Sequence, residues 1–359
     1  MSNNKTLRIA MAVTNDLATD RRVLRHAETL REAGYEVLLL GRNEVPTRHN
    51  RGWRFYLEFN IALSKKLKAL KPDIVWANDT DTLLGVGTVS IRTHCPMVMD
   101  AHEIFPEVPE IRYKPFVKWV WRTIERLLMP RCNAMLTVCQ SLADYYKKKY
   151  GVDMVVVRNI SNIQYNTPSN TTHSAQKTLL YQGSVNLGRG VDWAIDALEY
   201  LPQCRLVVAG KGDLLAQMKE YAASKPWADR IQFLGLVPLD DLPAITQTAD
   251  VGLVMLEDMG LNYHYALPNR IGDFVAAGVP MVVSDLPEMA AVVRRFGVGE
   301  VIDRLHGANY ETQVKTLAKA VEKVLARKWT DADFAEARED MNWNIEKQKL
   351  IKICSTIYC

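Results

Sequence analysis

Short apolar runs of strand length alternate along the chain with longer segments in which apolar residues recur every three or four positions. In the first half the runs predict strands at Leu7–Val13, Glu36–Leu40, Asp73–Ala77, Met97–Asp100, Ala134–Val138 and Met154–Val157. In the second half they fall at Thr178–Tyr181, Arg205–Ala209, Ile231–Phe233, Val251–Met255, Pro280–Val283 and Gly299–Ile302. Between them, Asp20–Ala33 sets Val23, Leu24, Ala27 and Leu30 on one helical face, with Asp20 as N-cap and Gly34 as stop. Val191–Leu201 does the same with Val191, Ala194, Ile195 and Leu198. Apolar strands joined through helices imply parallel sheets covered on both faces.

Six strands, a break and six more predict an α/β chain of two doubly wound, Rossmann-like domains. The break, Ser161–Gln176, is polar and has no period, so it reads as an interdomain linker. The expected division is residues 1–165, a linker over 166–176, a second domain over 177–335 and a tail over 336–359. In open parallel sheets ligands bind beyond the carboxyl ends of the strands. With two sheets, the cleft between them is the expected site.

Composition narrows the class. The 359 residues are 48% hydrophobic and 24% charged, ordinary for a soluble globular protein. Lys and Arg number 45 against 41 Asp and Glu, a balance of +4, too mild to argue for nucleic acid. No apolar stretch reaches membrane-spanning length, and Leu7–Val13, interrupted by Arg8, is too short for a signal-peptide core. The six cysteines, Cys95, Cys132, Cys139, Cys204, Cys354 and Cys359, form no C-x-x-C pair. A reduced, cytoplasmic chain without disulfides or a zinc site is expected.

Several strand ends carry candidate chemistry. Gly183–Gly190 (GSVNLGRG) follows a strand and opens a helix, where free backbone N–H groups and Arg189 suit an anion. Ala209–Asp213 (AGKGD) also ends a strand and sets Lys211 between glycines, as a phosphate contact or a plain turn. In Leu267–Asp273 (LPNRIGD), Pro268 and Asn269 read as turn and helix N-cap, Arg270 as first-turn cation, and Asp273 as a carboxylate one turn in. Asp273 can accept from ribose hydroxyls or simply pair with Arg270. His102 and Glu103 follow a strand in the first half, where an imidazole beside a carboxylate is a plausible site group, though a lone histidine is more often structural.

Asp79 and Asp81 make a D-x-D pattern that could hold a divalent metal, but one of them reads more simply as a helix N-cap. No metal site is expected. Tyr113–Arg131 interleaves Phe116, Trp119 and Trp121 with Lys114, Lys118, Arg122, Arg126 and Arg131 at helical period. Such a helix, with Lys147-Lys148-Lys149 nearby, is either a domain helix with a basic outer face or a peripheral contact for an anionic membrane.

Jointly these motifs resemble glycosyltransferase family 4, retaining enzymes of the GT-B fold. The likeness runs through Asp20–Arg25, Asp100–Glu107, Tyr181–Gly183 with Arg189-Gly190, Val208–Asp213, Phe233–Gly235, Ala249–Leu253, Leu267–Arg270, Ala277–Pro280 and Val283–Asp285. The form L-P-N-[KR] at Leu267–Arg270 marks a branch of that family. The tail, with Trp343, Glu346, Leu350 and Tyr358, looks like the helix that returns to the first domain in this fold.

The resemblance implies a UDP- or GDP-sugar donor held mainly by the second half, and transfer to a glycan or lipid-linked acceptor. No further cofactor is implied. It assigns Arg189 and Arg270 to the diphosphate, with Gly183, Lys211, Pro268 and Asn269 around it, and Asp273 to the ribose. It puts His102 near the transferred sugar, and Asp16, Asp79 and Glu103 on the acceptor side. The carboxylate that the family carries beside the donor sugar is Tyr265 here. The expected location is the cytoplasm, with contact to the inner face of the cell membrane. Two other readings remain open: a nucleotide-sugar epimerase using Glu103 and Glu107 as acid and base, and a non-catalytic nucleotide-binding subunit.

Overall fold

The structure, a computed structural model, describes residues 6–108, 111, 113–160, 176–238, 240–302 and 309–357. Residues 166–175 of the expected linker, Cys359 and Tyr358 lie outside the described residues. The chain divides into two compact units, Met1–Asn159 with Asn344–Cys359, and Ile160–Trp343.

All twelve expected strands are present, with ends displaced by a residue or two. In the first unit they are β1 (Arg8–Ala12), β2 (Glu36–Leu40), β3 (Ile74–Asn78), β4 (Met97–Ala101), β5 (Ala134–Thr137) and β6 (Val155–Val156). They form one parallel sheet in the order β2-β1-β3-β4-β5-β6. Every residue of β3 and β4 is buried, as the apolar runs require of central strands covered on both faces. Helix α1 (Arg21–Glu32) begins where Asp20 accepts a hydrogen bond from the Val23 amide at 3.2 Å. Glycine at position 34, with φ of 93°, carries the chain out of it.

Helices α2 (Gly52–Leu70), α3 (Thr80–Thr93), α4 (Pro115–Leu128) and α5 (Gln140–Tyr150) complete the first unit's layers. Phe55, Phe59, Leu63 and Leu67 line the buried face of α2 and join Ala10, Ala12, Val75 and Ala77 of the sheet in one core. The terminal helix, Trp343–Thr356, belongs to this unit from Asn344 onward. Its fully buried Glu346 accepts from the Arg158 amide at 3.0 Å and from Arg158 Nε at 2.7 Å.

The second unit contains β7 (Lys177–Gln182), β8 (Cys204–Ala209), β9 (Ile231–Gly235), β10 (Val251–Val254), β11 (Met281–Ser284) and β12 (Gly299–Ile302). Their order is β12-β11-β10-β7-β8-β9, again all parallel. The helix expected over Val191–Leu201 is α6, Val191–Ala197, and turns follow it to Leu201. Two apolar clusters fill the two faces of this sheet, one around Leu206, Val208 and Leu253, the other around Val254, Phe274 and Val283.

Both units are doubly wound Rossmann-like domains. Each strand order reverses once, at β1/β3 in the first and at β7/β10 in the second. Those switch points are where such sheets leave a crevice beyond the strand ends.

Candidate functional site

In the second domain the loops after β7 and β8 are knitted together by backbone hydrogen bonds. The Gly183 amide donates to the Ala209 carbonyl at 2.9 Å, and the Val185 amide to the Lys211 carbonyl at 3.0 Å. The Asp213 amide donates to Asn186 Oδ1 at 2.9 Å. Glycine is required for this approach: a methyl group at Gly210 would stand 1.7 Å from the Gly183 carbonyl oxygen, and one at Gly212 2.3 Å from that of Val185.

Arg270, on the first turn of the helix Arg270–Ala277, closes the same cradle. Its guanidinium carbon would lie 2.8 Å from a methyl at Gly183 and stands 5.1 Å from the Tyr181 ring centroid. Arg189, at the far end of the glycine loop, stacks its guanidinium 4.9 Å from the Tyr263 ring centroid. Arg270 Nη1 and Arg189 Nε are buried and donate to no group among the described residues. An unsatisfied buried guanidinium N–H is costly, and a charge-assisted bond to an anion relieves that cost. Asp273, buried one turn after Arg270, accepts from Gln182 Nε2 at 3.4 Å, and Gln182 in turn accepts from Thr246 Oγ1 at 2.9 Å.

One expectation needs correction here. Asn269 stands at the N-cap position but makes no capping bond, because its backbone is helical (φ −53°, ψ −32°). A cap needs extended backbone to fold its oxygen back onto the first-turn amides. Lys211 meets the glycine loop through its carbonyl, while its side chain is exposed. Tyr265 lies at the end of the short helix Leu261–His264, its ring 4.9 Å from that of His264.

In the first domain the ends of β1, β3 and β4 bring together groups that the sequence showed only singly. His102 lies between two carboxylates: Nδ1 is 3.1 Å from Asp79 Oδ2, and Nε2 is 3.3 Å from Asp100 Oδ2. Its amide donates to Asp79 Oδ1 at 2.8 Å. Asp79 adopts φ of 61°, a conformation that costs a non-glycine residue free energy and that marks functional sites when it persists. Although Asp79 precedes α3, it makes no capping bond there.

Fully buried Asp100 receives Arg22 Nε at 2.9 Å and Nη2 at 2.7 Å, and His26 Nδ1 lies 3.3 Å from it. Burial disfavours every charge in this cluster, so the partners decide. Against burial, Arg22 and His102 hold the Asp100 carboxyl well below the usual range. The carboxylates of Asp79 and Asp100 likewise hold His102 well above the usual imidazole value, so it is a cation. Burial and then Arg22 push His26 down to about 4, so it is neutral. Asp81, buried and receiving Thr14 Oγ1 at 2.5 Å, is pushed up to about 8 by burial and by Asp79.

The D-x-D carboxylates therefore face different partners: Asp79 faces His102 and Asp81 faces Thr14. Among the described residues no group of three or more His, Cys, Asp or Glu side chains is arranged to hold a metal ion. Asp16 accepts from the Ala18 amide at 3.0 Å on the exposed loop after β1. Glu103, half-buried, offers its carbonyl to Tyr146 Oη at 3.1 Å. Glu107 is not poised as an acid: despite partial burial, Lys118 and Arg122 hold its carboxyl below the usual range.

The sequence singled out none of Arg22, His26 and Asp100 as a site residue, and offered Asp81 only within the D-x-D pattern. Their signal was an Arg and a His four positions apart on the apolar face of α1, opposite an Asp closing a buried strand.

A doubly wound domain with a glycine-lined cradle and unsatisfied guanidinium groups at its switch point defines a class of α/β protein whose cradle suits an anion. Comparison with known proteins makes that class specific. Residues 19–163 match the model of "Glycosyltransferase Family 4", and residues 176–327 that of "Glycosyl transferases group 1". The chain carries both domains of a GT-B glycosyltransferase of the family 4/1 type.

It is similar to the chitobiosyldiphosphodolichol beta-mannosyltransferase of Candida albicans, 24% identical over 288 residues, 69% of this chain and 60% of that protein. It is 26% identical to the phosphatidyl-myo-inositol mannosyltransferase of Mycobacterium leprae over 50% of this chain and 47% of that one. The chain thus spans less than two thirds of the length of these relatives. HepE of Anabaena, solved with UDP and with UDP-glucose, superimposes with a TM-score of 0.71 at 13% identity in the UDP complex, covering 98% of this chain and all of that one. No helix among the described residues is long and apolar enough to cross a membrane.

Proposed function

We propose that the protein is a retaining glycosyltransferase, which takes a sugar from a UDP- or GDP-sugar and passes it to a glycan or lipid-linked acceptor. The observation that carries this reading is the pair of buried, unsatisfied guanidinium N–H groups of Arg189 and Arg270 at the glycine cradle after β7 and β8. Departure of a nucleoside diphosphate from the anomeric carbon builds negative charge on the leaving phosphate. Preorganised cations and backbone amides meet that charge without reorganising. Two guanidinium groups supply the neutralisation that a divalent metal would otherwise provide, so the reaction is metal-independent.

Pro268 and Asn269 lead the polypeptide into that cradle, and Asp273 takes the ribose hydroxyls. In the first domain the resemblance sets His102, held as a cation between Asp79 and Asp100, near the transferred sugar. Asp16, Asp79 and Glu103 border the acceptor. Retention of configuration rests on the resemblance to family 4, and the lipid-linked acceptor on the names of the two mannosyltransferases.

The test is a panel of UDP- and GDP-sugars against the purified chain, read by thermal stabilisation and by transfer to lipid-linked and soluble glycan acceptors in the presence of a chelator. One nucleotide class is expected to stabilise, as ligands bound only by the native state do. Arg189→Ala is expected to lower turnover on the order of a hundredfold. Proton NMR of the new linkage is expected to show the donor's anomeric configuration. If neither UDP nor GDP stabilises the protein, or if Arg189→Ala costs less than about tenfold, the phosphate assignment is wrong.

A further inference from the structure

The first domain carries a helical face that none of the chemistry above uses. Two glycines in α3 let α2 and α4 approach it from either side. A methyl at Gly85 would stand 2.9 Å from the Asn60 carbonyl oxygen of α2, and one at Gly87 3.0 Å from Leu128 Cδ1 of α4. Thr80 Oγ1 donates to buried Glu125 at 2.9 Å, which fastens α3 to α4. Tyr56 of α2 meets Trp121 of α4 edge-on, with ring centroids 5.3 Å apart. The three helices are thus one tight layer.

Away from that packing the layer leaves large apolar side chains in water. Trp53, Leu57 and Ile61 form a stripe at four-residue spacing along α2, Ile91 is exposed on α3, and Phe116 and Trp119 stack on α4 with centroids 5.9 Å apart. Trp53, Phe116 and Trp119 are 69%, 73% and 59% exposed. A cluster of this kind marks an interaction surface rather than ordinary scatter.

Most of the exposed charge on these helices is positive, with Glu107, just ahead of α4, paired to Lys118 and Arg122. Arg54, Lys65 and Lys68 on α2 and Arg122 and Arg126 on α4 are exposed. The acids of these helices are committed or buried: Glu58 pairs with His49 at 2.7 Å, and Glu125 and Asp81 are buried. Indole and phenyl rings beside lysine and arginine suit the boundary of a bilayer, where ring faces enter the headgroup region and cations meet phosphate.

We propose that this three-helix face docks the protein on an anionic phospholipid surface. The proposal extends the single basic helix of the sequence to a layer of three, and it holds whether or not the chain transfers a sugar.

The experiment floats the full chain with vesicles of phosphatidylcholine alone or with roughly a third phosphatidylglycerol. Binding to the anionic vesicles is expected to exceed that to neutral ones at least tenfold at about 50 mM salt, and to disappear near about 500 mM as screening shortens. At about fivefold per cation, Lys65→Glu with Arg126→Glu lowers partitioning more than tenfold. The triple variant Trp53→Ser, Phe116→Ser, Trp119→Ser does the same, with circular dichroism and thermal midpoint unchanged because these side chains are exposed. Equal binding to neutral vesicles, or wild-type binding by both variants, overturns the proposal. So does a concentration-dependent dimer that the triple variant abolishes, since the face would then belong to a second copy of the chain.

Discussion

Asp81 offers a test of the first domain's electrostatics. It sits at the β1/β3 switch point, buried, with Thr14 Oγ1 at 2.5 Å, and its carboxyl is pushed up to about 8 from an ordinary 3.8. Below about pH 8 the folded protein therefore holds a proton there, while the unfolded chain releases it above pH 4. The native state then binds more protons than the unfolded state across that window. Stability falls as pH rises, by about 1.4 kcal/mol per unit.

Asp81→Asn keeps the shape and removes the titration. The stability of the variant relative to wild type should rise by about 4 kcal/mol between pH 5 and pH 8. The comparison cancels the opposite contribution of His26, whose value near 4 favours the fold progressively from about pH 4 to 6.5. It also cancels that of His102, whose raised value contributes stability that is lost above pH 6.5. Urea unfolding of both proteins at each pH unit measures the difference. A difference that stays flat with pH would refute a protonated Asp81 and, with it, the account of burial and Asp79 as the dominant influences.

Other perturbations address the rest of the arrangement. Asp100→Asn leaves Arg22 buried without its counter-charge and should cost about 3 kcal/mol of stability at neutral pH. In the same variant the His102 titration, followed by NMR, should move down toward the ordinary imidazole value, and an unmoved titration would show that Asp100 does not hold the cation. Gly210→Ala drives a methyl into the Gly183 carbonyl and should cost about 1–3 kcal/mol while weakening nucleotide binding at least tenfold, checked by calorimetry with UDP and GDP. Unchanged nucleotide affinity there would separate the β7–β8 loops from the donor site.

The alternation of apolar runs with helical periods was enough to place all twelve strands, because a strand covered on both faces must be apolar throughout. Asp20 and Gly34 declared the ends of α1 through local backbone chemistry alone. The glycine loop at 183–190 was legible for the same reason: a strand, a glycine-rich turn and the start of a helix are written in contiguous residues.

Order within the sheets was not written that way. It took the tertiary structure to set β1 beside β3 and β7 beside β10, and so to join Thr14 with Asp81 and Arg270 with Gly183 across 67 and 87 positions. Whether His102 carries a charge was likewise decided by burial and by Asp79 and Asp100 meeting it at the ends of separate elements. Local sequence fixes propensity and periodicity over a few residues, whereas burial and Coulomb energy depend on which distant groups the fold makes neighbours.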